Sequence, residues 1–214
     1  MAVAVTVWSL VERLAQVFAE GEHKLEAIRA RDEFFEKAGK VFDDDGDLFE
    51  GRMASFLEWY IIERAFADGA TPALRVASGA TPSFTAEERA VAVRLATSHR
   101  SLFEVATVNG SVVEVDDLLG GARFLVTERR STIGFEPGAL FEARLVWDGQ
   151  GVVFGKTFLF HPPDAHEQVM QVVERAQARN THALELLFLL SRLYVRWNRF
   201  NHLGAAKIYA AGEA

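Results

Sequence analysis

An α+β fold is what this sequence predicts: helical N- and C-terminal segments around a five-stranded antiparallel β module of SH3-like or OB-like type. Three observations predict it. Apolar side chains recur at helical spacing before residue 100 and after residue 162. Between residues 101 and 161 the pattern changes to period-two alternation. Turn dipeptides, including Asn109-Gly110 and Gly120-Gly121, divide that middle stretch. With 214 residues, the expectation is one compact unit in three regions: helical 1–100, the barrel-like module 101–161, and C-terminal helices 162–214.

Ser9 followed by Glu12 has capping-box spacing, and Leu10, Leu14, Val17 and Phe18 predict a helix to about Glu20. Leu25, Ile28, Phe34 and Phe35 predict a second helix to about Ala38, ended by Gly39. Asp43-Asp44-Asp45-Gly46-Asp47 does not fit a calcium loop. With Gly46 at the sixth position, the first falls on Val41 and the twelfth on Arg52. A solvated turn preceding the next helix is the expectation. That helix runs from Leu48 to about Ala67 and is apolar over much of its circumference, which makes it central to the helical part.

Gly-Ala-Thr-Pro occurs at 69–72 and again at 79–82, which predicts an ordered connector. Thr85 with Glu88 opens a helix to about His99. The predicted strands are Ser101–Asn109, Ser111–Asp117, Ala122–Glu128, Leu140–Asp148 and Val152–Phe160. His161-Pro162-Pro163 stops the last of them. Asp164 with Glu167 predicts a helix to about Arg179, and Thr181 opens a final helix from Ala183 to about Phe200. The tail from Gly212 is expected to fray.

Composition narrows the function classes. The formal net charge is −7 and there is no cysteine. Disulfides, thiolate metal sites and cysteine nucleophiles are therefore excluded. An acidic protein is poorly suited to non-specific binding of phosphate backbones, so nucleic acid is a disfavoured partner. The apolar Met1–Val7 has no basic flank, and Glu12 and Arg13 follow it too early for a signal peptide. Ala183–Leu190 contains Glu185 and is too short to span a membrane. A cytoplasmic protein with no membrane association is the expectation.

No phosphate-binding glycine loop, nucleophile elbow or zinc-protease helix motif is present. His161 and His166 lie across a Pro-Pro turn with no third ligand nearby in sequence, so no metal and no cofactor are expected. Glu58 and Glu63 are five residues apart on a helix and fall on different faces, so they read as surface charges and not as an acid/base pair. No catalytic residue is assigned, and the chain reads as non-enzymatic.

The candidate binding residues are basic and aromatic. Arg192, Arg196 and Arg199 form one stripe on the last helix, with His202 following, and arginine forks suit phosphate or carboxylate groups. Arg129 and Arg130 follow the third strand, beside aromatics such as Phe124, Phe135, Trp147 and Phe158. Trp59 completes the set.

Phe56-Leu-Glu-Trp-Tyr-Ile-Ile-Glu63, Ser101-Leu-Phe-Glu-Val105, Asp116-Asp-Leu-Leu-Gly120 and Gly138-Ala-Leu-Phe-Glu-Ala-Arg-Leu145 resemble a group of uncharacterised bacterial proteins. In that group a helix with a Glu-Trp-aromatic motif precedes a small β module. The closing Arg199-Phe-Asn-His and Ile208-Tyr209 look like its C-terminal end. Some members carry a SEC-C metal-binding motif, which this cysteine-free chain lacks. The resemblance implies no activity. The expected function is that of a binding or adaptor protein acting through a protein partner or through self-association as a dimer. The alternative is a protein that binds single-stranded nucleic acid or a phosphate ligand through the arginine stripe.

Overall fold

The computed structural model describes residues 5–211. The expected fraying from Gly212, and the first four residues of the apolar N-terminus, lie outside them. Eight helices and five strands are present among the described residues. In chain order they are α1 (Val7–Phe18), α2 (Lys24–Ala38), α3 (Asp47–Ile62), α4 (Pro72–Ala77), α5 (Ala86–Ala96), β1 (His99–Asn109), β2 (Val112–Asp117), β3 (Arg123–Thr127), β4 (Leu140–Trp147), β5 (Val152–Phe160), α6 (His166–Ala178), α7 (Ala183–Arg199) and α8 (Ala205–Ala211). No described helix is long and apolar enough to cross a membrane.

The strands close into a barrel in the order β1-β2-β3-β5-β4, with β4 returning to β1. The all-antiparallel expectation is wrong at one seam: β3 pairs with β5 in parallel. Parity requires this. Direction cannot alternate around a closed ring with an odd number of strands, so at least one neighbouring pair must run parallel.

Several helix boundaries also move. Thr6, not Ser9, caps α1; its hydroxyl accepts from Ser9 N–H, and Ser9 sits at the third helical position. Helix α3 ends at Ile62 and not near Ala67, because the N–H groups of Glu63 and Arg64 both turn back onto Trp59 O. The first Gly-Ala-Thr-Pro copy starts α4, with Thr71 as cap and Pro72 at its first position; the second copy starts no helix. Asp164 does not cap α6. It lies in a 3₁₀ turn and its carboxylate accepts from Ala205 N–H, which fixes the start of α8. Helix α8 itself is too short to leave a periodic signal in the sequence.

The barrel interior is lined by Phe103, Val105, Val113, Val115, Val126, Phe141, Leu145 and Phe154, with Phe135 inserted from the β3–β4 loop. The outer face of β1 and β4 is also buried, because two helical layers pack on it. Helices α1–α5 form one layer around Phe34, Trp59, Tyr60 and Phe188, and Val146 joins that cluster. Helices α6–α8 form the other, and Leu102 and Leu140 join theirs. Along β4 the outward residues therefore read Leu140, Glu142, Arg144, Val146 (period two). The apolar ends touch one layer each, and the two charges lie in the seam between them.

Candidate functional site

Strand β4 is buried from Leu140 to Val146, so Glu142 and Arg144 cannot reach bulk water. Each needs partners, because an isolated charge in low dielectric is strongly disfavoured. The partners come from α3 and β1. Arg144 Nη2 donates to Glu63 Oε1, its Nη1 donates to Ser98 Oγ at 3.1 Å, and its Nε faces Glu58 Oε2 at 3.5 Å. Arg100 donates to Glu63 Oε2 at 3.2 Å and to Glu142 Oε2 at 3.4 Å.

The early end of α3 makes this possible. Glu63 leaves the helix by the cap residue, so the two carboxylates that would diverge on a continued helix converge on one guanidinium. Reading Glu58 as a surface charge was incorrect: it is buried, and Glu63 is largely so.

A bulge in β5 completes the arrangement. Ala143 pairs with Phe158 and Leu145 with Phe154, so Arg144 alone faces Gly155, Lys156 and Thr157. The bulged segment turns Lys156 N–H and the Thr157 hydroxyl onto Glu58, at 3.2 and 3.1 Å. Gly155 is required for space: a Cβ there would sit 3.1 Å from Arg144 Cβ and 3.3 Å from Arg144 O.

Burial alone would raise the Glu63 carboxyl, but the Arg144 and Arg100 guanidiniums hold it below the ordinary carboxylate range. The balance is reversed at Glu142, where burial outweighs Arg100 and Arg52 and raises the carboxyl. His161 lies next to it. Burial takes this imidazole down to about 3, so it is neutral. Its Nδ1 is 2.8 Å from Tyr209 Oη, and its Nε2 is 3.8 Å from Glu142 Oε1.

Arg52 is the exception in the cluster. It is buried on α3, with Nε and Nη2 making no hydrogen bond, and its guanidinium lies 5.3 Å from the Phe34 ring centroid. Burial lowers it to about 10, which leaves it charged at neutral pH. A void of about 10 Å³ beside Arg52, Arg100, Glu142 and Arg144 has room for one water molecule.

A second polar node closes the β2–β3 turn. Asp117 is buried and accepts from Ser101 Oγ and from the N–H groups of Leu119 and Gly120, both at 3.0 Å; His99 Nε2 is 2.7 Å away. Gly120 allows no side chain, because its Cβ would overlap the Asp117 carboxylate. This accounts for the Asp116–Gly120 motif as turn chemistry.

The residues named from sequence fall elsewhere. Arg192 and Arg196 are exposed and have no ion-pair partner among the described residues. Arg199 lies over the Phe42 ring at 4.7 Å and donates to Asp45 Oδ2 at 3.0 Å, so the acidic run meets one end of the stripe. His202 is exposed beside Phe200. Arg129 pairs with Asp148 and Arg130 with Glu128, and Arg130 also covers the Phe158 ring. Trp59 lies in the helical core against Phe34 and Phe188, where it cannot meet a partner. Sequence reasoning missed the buried charges. The available signal was Glu142 and Arg144 on the same face of a strand with no solvent side.

Beside the stripe, α2, α3 and the segment between them enclose a groove of about 910 Å³ lined by Phe35, Val41, Phe42, Phe49 and Met53, with Arg31, Asp32, Glu36, Lys40 and Asp43 at its edges. Phe42 is more than half exposed, and Leu25 and Ile28 are exposed nearer the start of α2. The connector runs alongside α7: a Cβ at Gly39 would touch Arg192 Cα, and Phe42 lies under Arg199. Among the described residues no three His, Asp or Glu side chains are grouped to hold a metal ion.

The chain belongs to a family of unknown function, DUF7986, whose model matches residues 8–186. That agrees with the motif resemblance to an uncharacterised protein group. No curated protein and no solved structure matches the chain.

Proposed function

We infer that this member of the family is a non-enzymatic binding or adaptor protein that takes a segment of a partner protein. The single observation that carries the reading is the open aromatic groove between α2 and α3. Aromatic side chains that line an open groove with a polar rim mark interaction sites on soluble proteins. Charge complementarity sets the occupant. Arg192 and Arg196 are exposed and unpaired among the described residues along the same connector, so the matching segment carries apolar anchors at helical spacing and acidic groups on one flank.

The Greek-key ring of five strands favours the OB-like over the SH3-like reading of the barrel. Its β2–β3 outer face carries Glu114 and Asp116 paired with Arg123, and this acidic surface argues against a nucleic-acid platform. The alternative, phosphate recognition by the arginine stripe, is weakened because Arg199 is already held by Asp45 and the acidic run lies next to it. A cytoplasmic setting fits a protein-binding role.

Selection from a peptide display library tests this. The expected result is enrichment of peptides with apolar residues three and four apart and acidic flanks, lost on Phe42→Ser and weakened by Arg192→Ala with Arg196→Ala. Equal recovery by wild type and Phe42→Ser would refute it. Light scattering identifies the case in which the partner is a second copy.

A further inference from the structure

We propose that the cleft where α3, β5 and α7 meet binds a small monocarboxylate with an apolar body, its carboxylate held by Arg52. The cleft has a volume of about 230 Å³, and its walls include Leu48, Gly51, Ser55, Phe158, Leu159 and Tyr194. It occupies a different stripe of α3 from the groove that Phe49 and Met53 line, so the two readings stand independently.

Three observations converge on a ligand. Arg52 is 3 % exposed and is among the residues that line the cleft, and its Nε and Nη2, closed to water, have no partner in the fold, although buried polar groups are almost always satisfied. The other two arginines of the cluster each engage two carboxylates, whereas Arg52 makes no ion pair within 4 Å. The carboxylate nearest in charge, Glu142, is pushed towards its neutral form by burial, and its Oε1 is also unpartnered. Arg52 is therefore a cation with no counter-ion at ion-pairing distance, and guanidinium forks match carboxylates in two parallel hydrogen bonds.

The surroundings define the class further. Glu58, Glu142 and Asp47 lie at or near the cleft and would repel a dianion such as phosphate more than a monoanion. Leu48, Phe158, Leu159 and the Tyr194 ring offer apolar contact beyond the charged end. The volume falls below the roughly 300–1,000 Å³ of pockets for drug-sized ligands, so the body is small.

The experiment is thermal denaturation and calorimetric titration of the full chain with benzoate and hexanoate, with benzamide and hexanamide as uncharged counterparts and inorganic phosphate as the dianion. The carboxylates are expected to raise the melting temperature saturably, and the amides and phosphate to leave it unchanged. Gly51→Leu places a side chain in the cleft from a position where a Cβ meets nothing within 4 Å. It should fold and lose about tenfold or more in affinity. Arg52→Met removes the charge in similar volume and should abolish the carboxylate response. Equal responses to carboxylate and amide, a response to phosphate alone, binding retained in Gly51→Leu, or no response to any probe would each overturn the proposal. The last outcome would leave Arg52 as a hydrated buried cation.

Discussion

Arg144 and Arg196 are the same residue type and differ fundamentally in what they do. Arg144 lies in the seam between two helical layers, 2 % exposed, with two carboxylates and a hydroxyl around it. Arg196 lies on the outer stripe of α7 with no ion-pair partner among the described residues. The difference lies in desolvation. In water a lost ion pair is replaced by hydration, whereas in the seam nothing replaces it. Arg144 therefore holds the barrel to its helices, whereas the Arg196 guanidinium faces water.

The largest effect that would sharpen this contrast is at Arg144. Arg144→Ala leaves Glu58 buried without a cation and Glu63 with Arg100 alone, and should lower stability by about 3–5 kcal/mol in urea unfolding. A loss below about 1 kcal/mol would place Arg144 with the outer arginines and break the comparison.

Acid should act on the seam and spare the stripe. His161 is held near 3 by burial against 6.5 in the unfolded chain, so its contribution is complete above pH 6.5 and is lost as pH falls towards 3. Glu63 is lowered, so its contribution is lost below about pH 4.5; Glu142 is raised and contributes with the opposite sign. Between pH 6.5 and 5, wild type should lose about 1.6 kcal/mol more than His161→Gln, the slope approaching about 1.4 kcal/mol per pH unit as the unfolded imidazole becomes fully protonated. The exposed histidines cancel in that difference. Parallel stability–pH curves would show that His161 titrates normally.

Gly155→Ala forces a methyl group against Arg144 and should destabilise by about 1–3 kcal/mol, read from the shift in the urea midpoint. The smallest effects belong to the stripe. Arg192→Ala and Arg196→Ala should each change stability by less than about 0.5 kcal/mol. Arg199→Ala, which removes the Asp45 pair and the Phe42 contact, should cost about 0.2–1 kcal/mol by thermal unfolding.

Much of the scaffold was legible in the residues. Asn109-Gly110 and the alternation from Leu140 to Trp147 placed strands within two residues of their observed ends, because turn chemistry and period-two burial are local. The Thr85–Glu88 capping box placed α5 for the same reason. The site was not legible, since its parts come from residues 52–63, 98–100, 142–144 and 155–161. Spacing along α3 even argued against Glu58 and Glu63 acting together, because a helix was assumed to continue through Glu63.

By itself the sequence determined the five strands and the longer helices in their order along the chain, and an acidic, cysteine-free composition. Only the tertiary structure decided the parallel β3–β5 seam, the covering of the outer face of β4, and the burial of Arg52 without a partner. The physical reason is range. Backbone periodicity and turns are set by neighbours a few residues away. Ring closure and the desolvation of a charge depend on which distant surfaces pack together, as Glu58 shows by meeting Lys156 N–H.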